Sequence, residues 1–181
     1  MTMLYPSSLP HTLEPGATAV ARADAIDPVT SDLLRHLQQT MHSEIPLTGA
    51  IGIRAVAYDR EGLRLSAPLA QNINDKGTVF SGSLNAVITL AGWGLIWLLL
   101  QEQDLSGAIV IQDSTIKYLQ PVRRDFVARG HMPEHSEIDQ FQSTLRKRGR
   151  ARLSVQAEIW EDDTLRVTFT GRYVVDLHLP R

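Results

Sequence analysis

The residues best able to do chemistry lie in and around one short stretch. Ser81-Gly82-Ser83 stands near the start of a run that carries no charge from Gly77 through Gln101. A helix beginning there presents unpaired backbone N–H groups and the positive end of its dipole to whatever precedes it. A carbonyl seated at that end would be polarised, with the N–H of Ser81 or Gly82 as donor; the same serines are also ordinary helix caps. Asn74 can orient a water or a carbonyl through its amide, and it is equally a turn former in Asn74-Asp75-Lys76-Gly77. Asp75, the carboxylate nearest in sequence to the helix start, is the leading candidate base; the alternative is a solvated turn acid paired with Lys76. Thr89 sits inside the apolar helix, where its hydroxyl either holds a water or substrate or bonds back to the helix. Asp113 shares a strand face with Ile109 and Ile111, so partial burial would make it a second candidate base, against a structural role at a sheet or subunit contact.

The histidines stand apart from these motifs. His11, His36, His42, His131, His135 and His178 make no metal-ligand spacing, so no metal is expected. The basic run Arg146-Lys147-Arg148-Gly149-Arg150 reads either as a solvated cluster at a helix C-terminus, where cations are favoured, or as a phosphate-attracting patch acting with Arg123 and Arg124.

These residues need a scaffold, and the composition bounds it. The chain has 181 residues, 43% of them hydrophobic and 21% charged, which suits one soluble domain with a sizeable core. Its 18 Lys+Arg against 20 Asp+Glu remove the electrostatic case for nucleic acid. The absence of cysteine excludes a disulfide scaffold, Cys-ligated metal and thiol catalysis. The uncharged run is apolar enough to raise a membrane span, but its dense part, residues 84–100, is slightly short and carries Asn85, Thr89, Gly92 and Gly94. No Lys/Arg cluster flanks it, and residues 1–30 lack the pattern of a signal peptide, so no span and a cytoplasmic location are expected. A helix apolar all round is then the buried centre of a fold.

The order of elements follows from periodicity. Residues 1–26 form a loose N-terminal arm, and the single domain occupies 27–181. Asp27-Pro28 starts a helix with Leu33, Leu34, Leu37 and Met41 on one face, ended by Pro46 and Gly49. Two strands at 53–58 and 63–67 flank the hairpin signal Asp59-Arg60-Glu61-Gly62. After the polar loop 71–78 and the uncharged helix come a strand at 108–118, Pro121, and a short strand at 126–129. A small helix spans 136–148, with a Ser136/Asp139 capping signal and Gly149 beyond its end. Two amphipathic strands close the chain at 151–159 and 165–175. The apolar face of one curved antiparallel sheet must be buried, and the uncharged helix is its partner, with Gly92 and Gly94 allowing close approach.

Several motifs together resemble hotdog-fold thioesterases, and more narrowly the thioesterase domain at the C-terminus of YiiD-type proteins. They are Ile45-Pro46-Leu47-Thr48, the loop from Ala67 to Leu84, Leu90-Ala91-Gly92-Trp93-Gly94, Tyr118-Leu119-Gln120-Pro121-Val122 and Gly149-Arg150-Ala151-Arg152-Leu153, over roughly residues 30–178. The resemblance implies an α+β hotdog fold, a curved antiparallel sheet around one long central helix that dimerises edge to edge. It also implies hydrolysis of an acyl-CoA or acyl-carrier thioester, with coenzyme A as part of the substrate and no separate cofactor. A homodimer or a dimer of dimers is the expected assembly. Against the wider pattern Asn-x-x-Gly-x-x-His-Gly-Gly, Asn74 and Gly77 take the Asn and first Gly. Phe80 stands where His is usual, Ser81 and Gly82 on the two glycines, and Thr89 where an acid falls. Those departures motivate an alternative, a non-catalytic acyl-CoA- or lipid-binding protein. They also disfavour dehydratase or hydratase chemistry, which needs the missing His. For a hydrolase, Asp75, Asn74, Ser81, Gly82, Thr89 and Asp113 are the candidate catalytic set, and Arg146, Lys147, Arg148 and Arg150 the candidates for the phosphates of coenzyme A.

Overall fold

The structure, a computed structural model, describes residues 28–179, so the arm assigned to residues 1–26 lies outside the described residues. Helix α1 (Pro28–Glu44) is followed by a four-residue helix α2 (Leu47–Ala50) and the hairpin β1 (Arg54–Asp59) and β2 (Gly62–Ala67). Pro46 occupies the N-cap of α2, so Gly49 lies inside a short helix that the sequence reading did not separate. Then come α3 (Ser81–Gln101), β3 (Ala108–Tyr118), β4 (Phe126–His131), α4 (His135–Arg148), β5 (Arg150–Glu161) and β6 (Thr164–Asp176).

The six strands make one antiparallel sheet in the order β1-β2-β4-β5-β6-β3. Alternation explains its two faces. Ala151, Leu153, Val155, Ala157 and Ile159 of β5 are buried, as are Val167, Phe169, Tyr173 and Val175 of β6. The residues between them point outward, as period-two geometry requires. Against the apolar face lies α3, which touches β2, β4, β5, β6 and β3. Leu95, Ile96, Leu98, Val87 and Ile88 are fully enclosed. Although α3 is long and apolar enough to cross a membrane by length and composition, most of it is buried inside this fold.

Two glycines set how closely helix and sheet approach. A Cβ on Gly92 would stand 2.4 Å from the Tyr173 hydroxyl, and one on Gly94 would stand 2.7 Å from Leu63 Cδ2. Tyr173 uses the space to donate a hydrogen bond to the Thr89 carbonyl at 2.7 Å, and burial pushes its phenol pKa up. The remaining flank of α3 meets α1, where Leu34, Leu37 and Met41 are buried and His36 stands edge-on to Trp97 at 5.0 Å. One stripe stays open. Ser81 and Asn85 are exposed and Thr89 and Trp93 half-buried, and their spacing of four puts them on one helix face.

Two local expectations need correction. The small helix α4 begins with a reciprocal capping box between Glu134 and Glu137, not between Ser136 and Asp139; Gly149 ends it in the left-handed conformation at φ 69°. Asp113 is not partly buried with Ile109 and Ile111. A bulge at Gln112 shifts the register between Ile111 and Asp113, which breaks the simple alternation. The Asp113 side chain is 55% exposed and paired with Arg172.

Candidate active site

The loop between β2 and α3 is held by its own asparagines. The side-chain amide of Asn72, a buried residue, donates to the carbonyls of Ile51 at 2.9 Å and Pro68 at 2.7 Å, while the Asn72 carbonyl accepts the Phe80 N–H at 2.7 Å. Asn74 closes the tip. Its Oδ1 accepts the N–H groups of Lys76 at 2.9 Å and Thr78 at 3.1 Å, and its Nδ2 donates to Thr78 Oγ1 at 2.9 Å. Gly77, at φ 71°, makes the turn that this closure needs. From the other side, the Val122 carbonyl accepts the Val79 N–H at 2.8 Å and ties the loop to the segment after β3.

This frame sets the first turn of α3. Phe80 is the N-cap and supplies no side-chain cap. The first helical bond runs from Leu84 N–H to the Phe80 carbonyl at 3.1 Å, which leaves the N–H groups of Ser81, Gly82 and Ser83 without an intrahelical acceptor. The serines therefore do not serve as the N-cap. Beside this turn is a cleft of about 320 Å³ whose lining includes Asn74, Thr78, Ser81, Tyr118, Gln120 and Pro121. The Tyr118 hydroxyl donates to the Ser81 carbonyl at 3.3 Å, and partial burial raises its pKa above the ordinary phenol value. Ile73, Phe80, Tyr118 and Leu119 are all about half-exposed, a group of large apolar side chains around the cleft and its loop.

The candidate residues divide clearly. Asn74, Ser81 and Gly82 are brought to the cleft or its helix turn, with the Asn74 side chain spent on the loop. Asp75 is adjacent to Asn74 but points to solvent, 80% exposed, with Lys76 Nζ at 3.2 Å. Thr89 lies two turns along the open stripe of α3. Among the described residues no carboxylate or imidazole lines the cleft itself. Arg146 donates to Gln103, just past the far end of α3, and Arg150 faces Asp176 at 3.9 Å. A helix of 21 residues is about 30 Å long, so the basic run is not brought to the Ser81 end within one chain. Tyr118 was missed as a site residue, although a tyrosine closing a β-branched strand just before Leu119-Gln120-Pro121 was a visible signal. Among the described residues no group of three or more His, Asp or Glu could hold a metal ion.

The model of a family described as "Putative thioesterase (yiiD_Cterm)" matches residues 34–177. The chain belongs to that family. A crystal structure of the putative thioesterase from Shewanella oneidensis is 34% identical, with 81% of this chain and 99% of that one covered at a TM-score of 0.74. A Chlorobaculum tepidum protein of unknown function is 31% identical, with 84% and 97% covered at 0.77. A Haemophilus influenzae thioesterase, 17% identical over 80% of this chain and 91% of its own at 0.57, shares the fold. The YiiD C-terminal thioesterase family and these structures agree with the α+β hotdog architecture of the six-stranded sheet and its helix.

Proposed function

We propose that this thioesterase-family chain hydrolyses an acyl-CoA or acyl-carrier thioester, with the scissile carbonyl at the first turn of α3. The observation that carries the reading is the uncapped turn at Ser81-Gly82-Ser83 opening beside a cleft. Free N–H groups at a helix N-terminus stabilise the oxyanion of a tetrahedral intermediate, and donors held in place before reaction need no reorganisation. Removing one such donor typically costs about 10²–10³ in kcat. The Tyr118 hydroxyl, which lines the same cleft, donates its one proton to the Ser81 carbonyl and so braces this turn.

The reaction also needs a base. Water attacks the thioester carbon while its proton passes to the base; collapse of the oxyanion expels the thiolate, which takes up a proton and leaves with the carrier. Asp75, one residue from the cleft-lining Asn74 and turned to solvent beside Lys76, is the proposed base; Asp113, exposed and paired with Arg172, loses the burial that had made it the second choice. The open stripe of α3 and the exposed edge of β3, with Val110 54% and Ile111 38% exposed, favour a second copy paired edge to edge. A single chain leaves those apolar groups in water. The acyl chain then lies near that boundary, where Trp93 and Ile109 line a cavity of about 590 Å³.

The direct test is thiol release from short, medium and long acyl-CoAs by purified protein, followed by Asp75→Asn. Turnover is expected, and with D75N a loss of about 10²–10⁴, the usual contribution of general acid–base catalysis. Unchanged turnover in D75N would exclude Asp75 as the base and leave proton removal to bulk water.

A further inference from the structure

The face of the sheet turned away from α3 carries a second recess, at the end where α3 begins. It is a groove of about 600 Å³ between β4 and the β5–β6 hairpin, lined by Arg123, Arg124, Val127, Arg129, Trp160 and Asp162 among others. That volume falls within the roughly 300–1,000 Å³ of small-molecule sites. The groove is built around a fixed aromatic ring. Trp160 Nε1 donates to Glu158 Oε2 at 2.9 Å, and the same oxygen faces His131 Nε2 at 3.2 Å, so the indole is held at its N–H edge. The Arg129 guanidinium lies 6.0 Å from the ring centroid.

Among the described residues around the ring, two guanidinium groups and one carboxylate, Asp125, are left outside ion pairs. Asp162 pairs with Arg124, and Glu161 is taken by Arg166 at 2.6 Å and by the Arg123 backbone N–H at 2.5 Å. Asp125 accepts the Leu69 N–H at 2.9 Å. The guanidinium groups of Arg123 and Arg129 make no ion pair among the described residues. Two unpaired guanidinium groups flanking a fixed indole suit a ligand with an aromatic base and phosphates.

The position also fits. The segment 119–125 runs from the cleft at Tyr118 to β4, across the ends of β6 and β5. Three strand spacings amount to about 14 Å, a span that an extended phosphopantetheine arm covers.

We infer that this groove seats the nucleotide end of coenzyme A, with adenine against Trp160 and the phosphates on Arg123 and Arg129. The inference rests on the acyl-CoA reading of the cleft, and it replaces the basic run at the end of α4 as the phosphate site. An acyl-CoA then lies across the 119–125 segment, thioester on one side and nucleotide on the other.

The test compares two thioesters, an acyl-CoA and the matching acyl-pantetheine, which lacks the nucleotide. For Arg123→Ala with Arg129→Ala, KM for the acyl-CoA is expected to rise at least ten-fold more than KM for the acyl-pantetheine. Trp160→Leu should shift the same ratio in the same direction. An equal rise for both thioesters, or none for either, overturns the assignment, as does a selective rise for acyl-CoA found instead in Lys147→Ala. Should the protein hydrolyse neither thioester, calorimetric titration with adenosine 3′,5′-bisphosphate still reads the groove. Binding that is lost in the double arginine variant supports the nucleotide site even as hydrolysis fails, and no binding to the unaltered protein overturns it.

Discussion

At the residue scale, the cleft depends on asparagines, backbone and one phenol more than on charged side chains. Asn74 illustrates the limit of reading chemistry from residue type. Its amide looked able to orient a carbonyl or to form a turn, and both its oxygen and its nitrogen are committed to Lys76 and Thr78 within the loop. Asn74→Ala should therefore act through loop order, lowering kcat together with thermal stability, whereas D75N should lower kcat with the melting temperature unchanged. Paired kinetic and melting measurements separate the two. Glu161 gives a pH prediction. Burial by itself would raise its pKa, but the Arg123 backbone N–H, the Arg166 charge and the Arg124 contacts outweigh that and hold the carboxyl below its ordinary value. A lowered folded-state pKa stabilises the fold above the ordinary carboxylate range, and that stabilisation is lost as pH falls through the folded value. Glu161→Gln, which leaves Arg166 without its partner, should cost about 3–5 kcal/mol at neutral pH and flatten the acid limb of a stability–pH profile from urea denaturation. An unchanged acid limb would show that this pair is not the titrating element.

At the scale of elements, periodicity was the readable signal. The alternation in β5 and β6 and the apolar run of α3 predicted nearly the observed boundaries, because each pattern encodes which side meets the core. The close approach expected at the two glycines is also present. Gly92 faces Tyr173 and Gly94 faces Leu63, so helix–sheet contact at those points has no room for a methyl group. Gly92→Ala should cost about 1–3 kcal/mol through overpacking and loss of the Tyr173–Thr89 bond; Gly94→Ala should cost less, since only the flexible Leu63 side chain must yield. Equal losses in denaturant titration would contradict that ordering. What the pattern did not reveal was the bulge at Gln112. One extra residue opposite β6 changes which face Asp113 presents, and periodicity carries no mark of it. Likewise Tyr118 and Ser81 lie 37 residues apart and meet only because β3 returns along α3.

At the scale of the molecule, the feature that most resembled a membrane span is the helix the fold encloses. Sheet and α1 bury most of α3, and the stripe they leave, Ser81, Asn85, Thr89 and Trp93, borders the unpaired edge of β3. Two copies joined along that edge would bury the stripe and place each cleft near a subunit boundary. Light scattering should give a mass of at least twice the 20.1 kDa chain, and Val110→Lys with Ile111→Lys should shift it toward the single-chain mass by setting like charges across the edge. A monomer in the unaltered protein would contradict the pairing. The central claim, however, is hydrolysis at the α3 N-terminus despite Phe80 and Thr89 in place of the usual His and acid. It is tested most directly by following thiol release from acyl-CoAs of short, medium and long chain with the purified protein. Release from at least one of them, abolished or reduced about 10²–10⁴ by D75N, is the predicted result. Thermal stabilisation by those same acyl-CoAs with no thiol released from any of them would contradict the account and leave a protein that binds acyl-CoA without cleaving it.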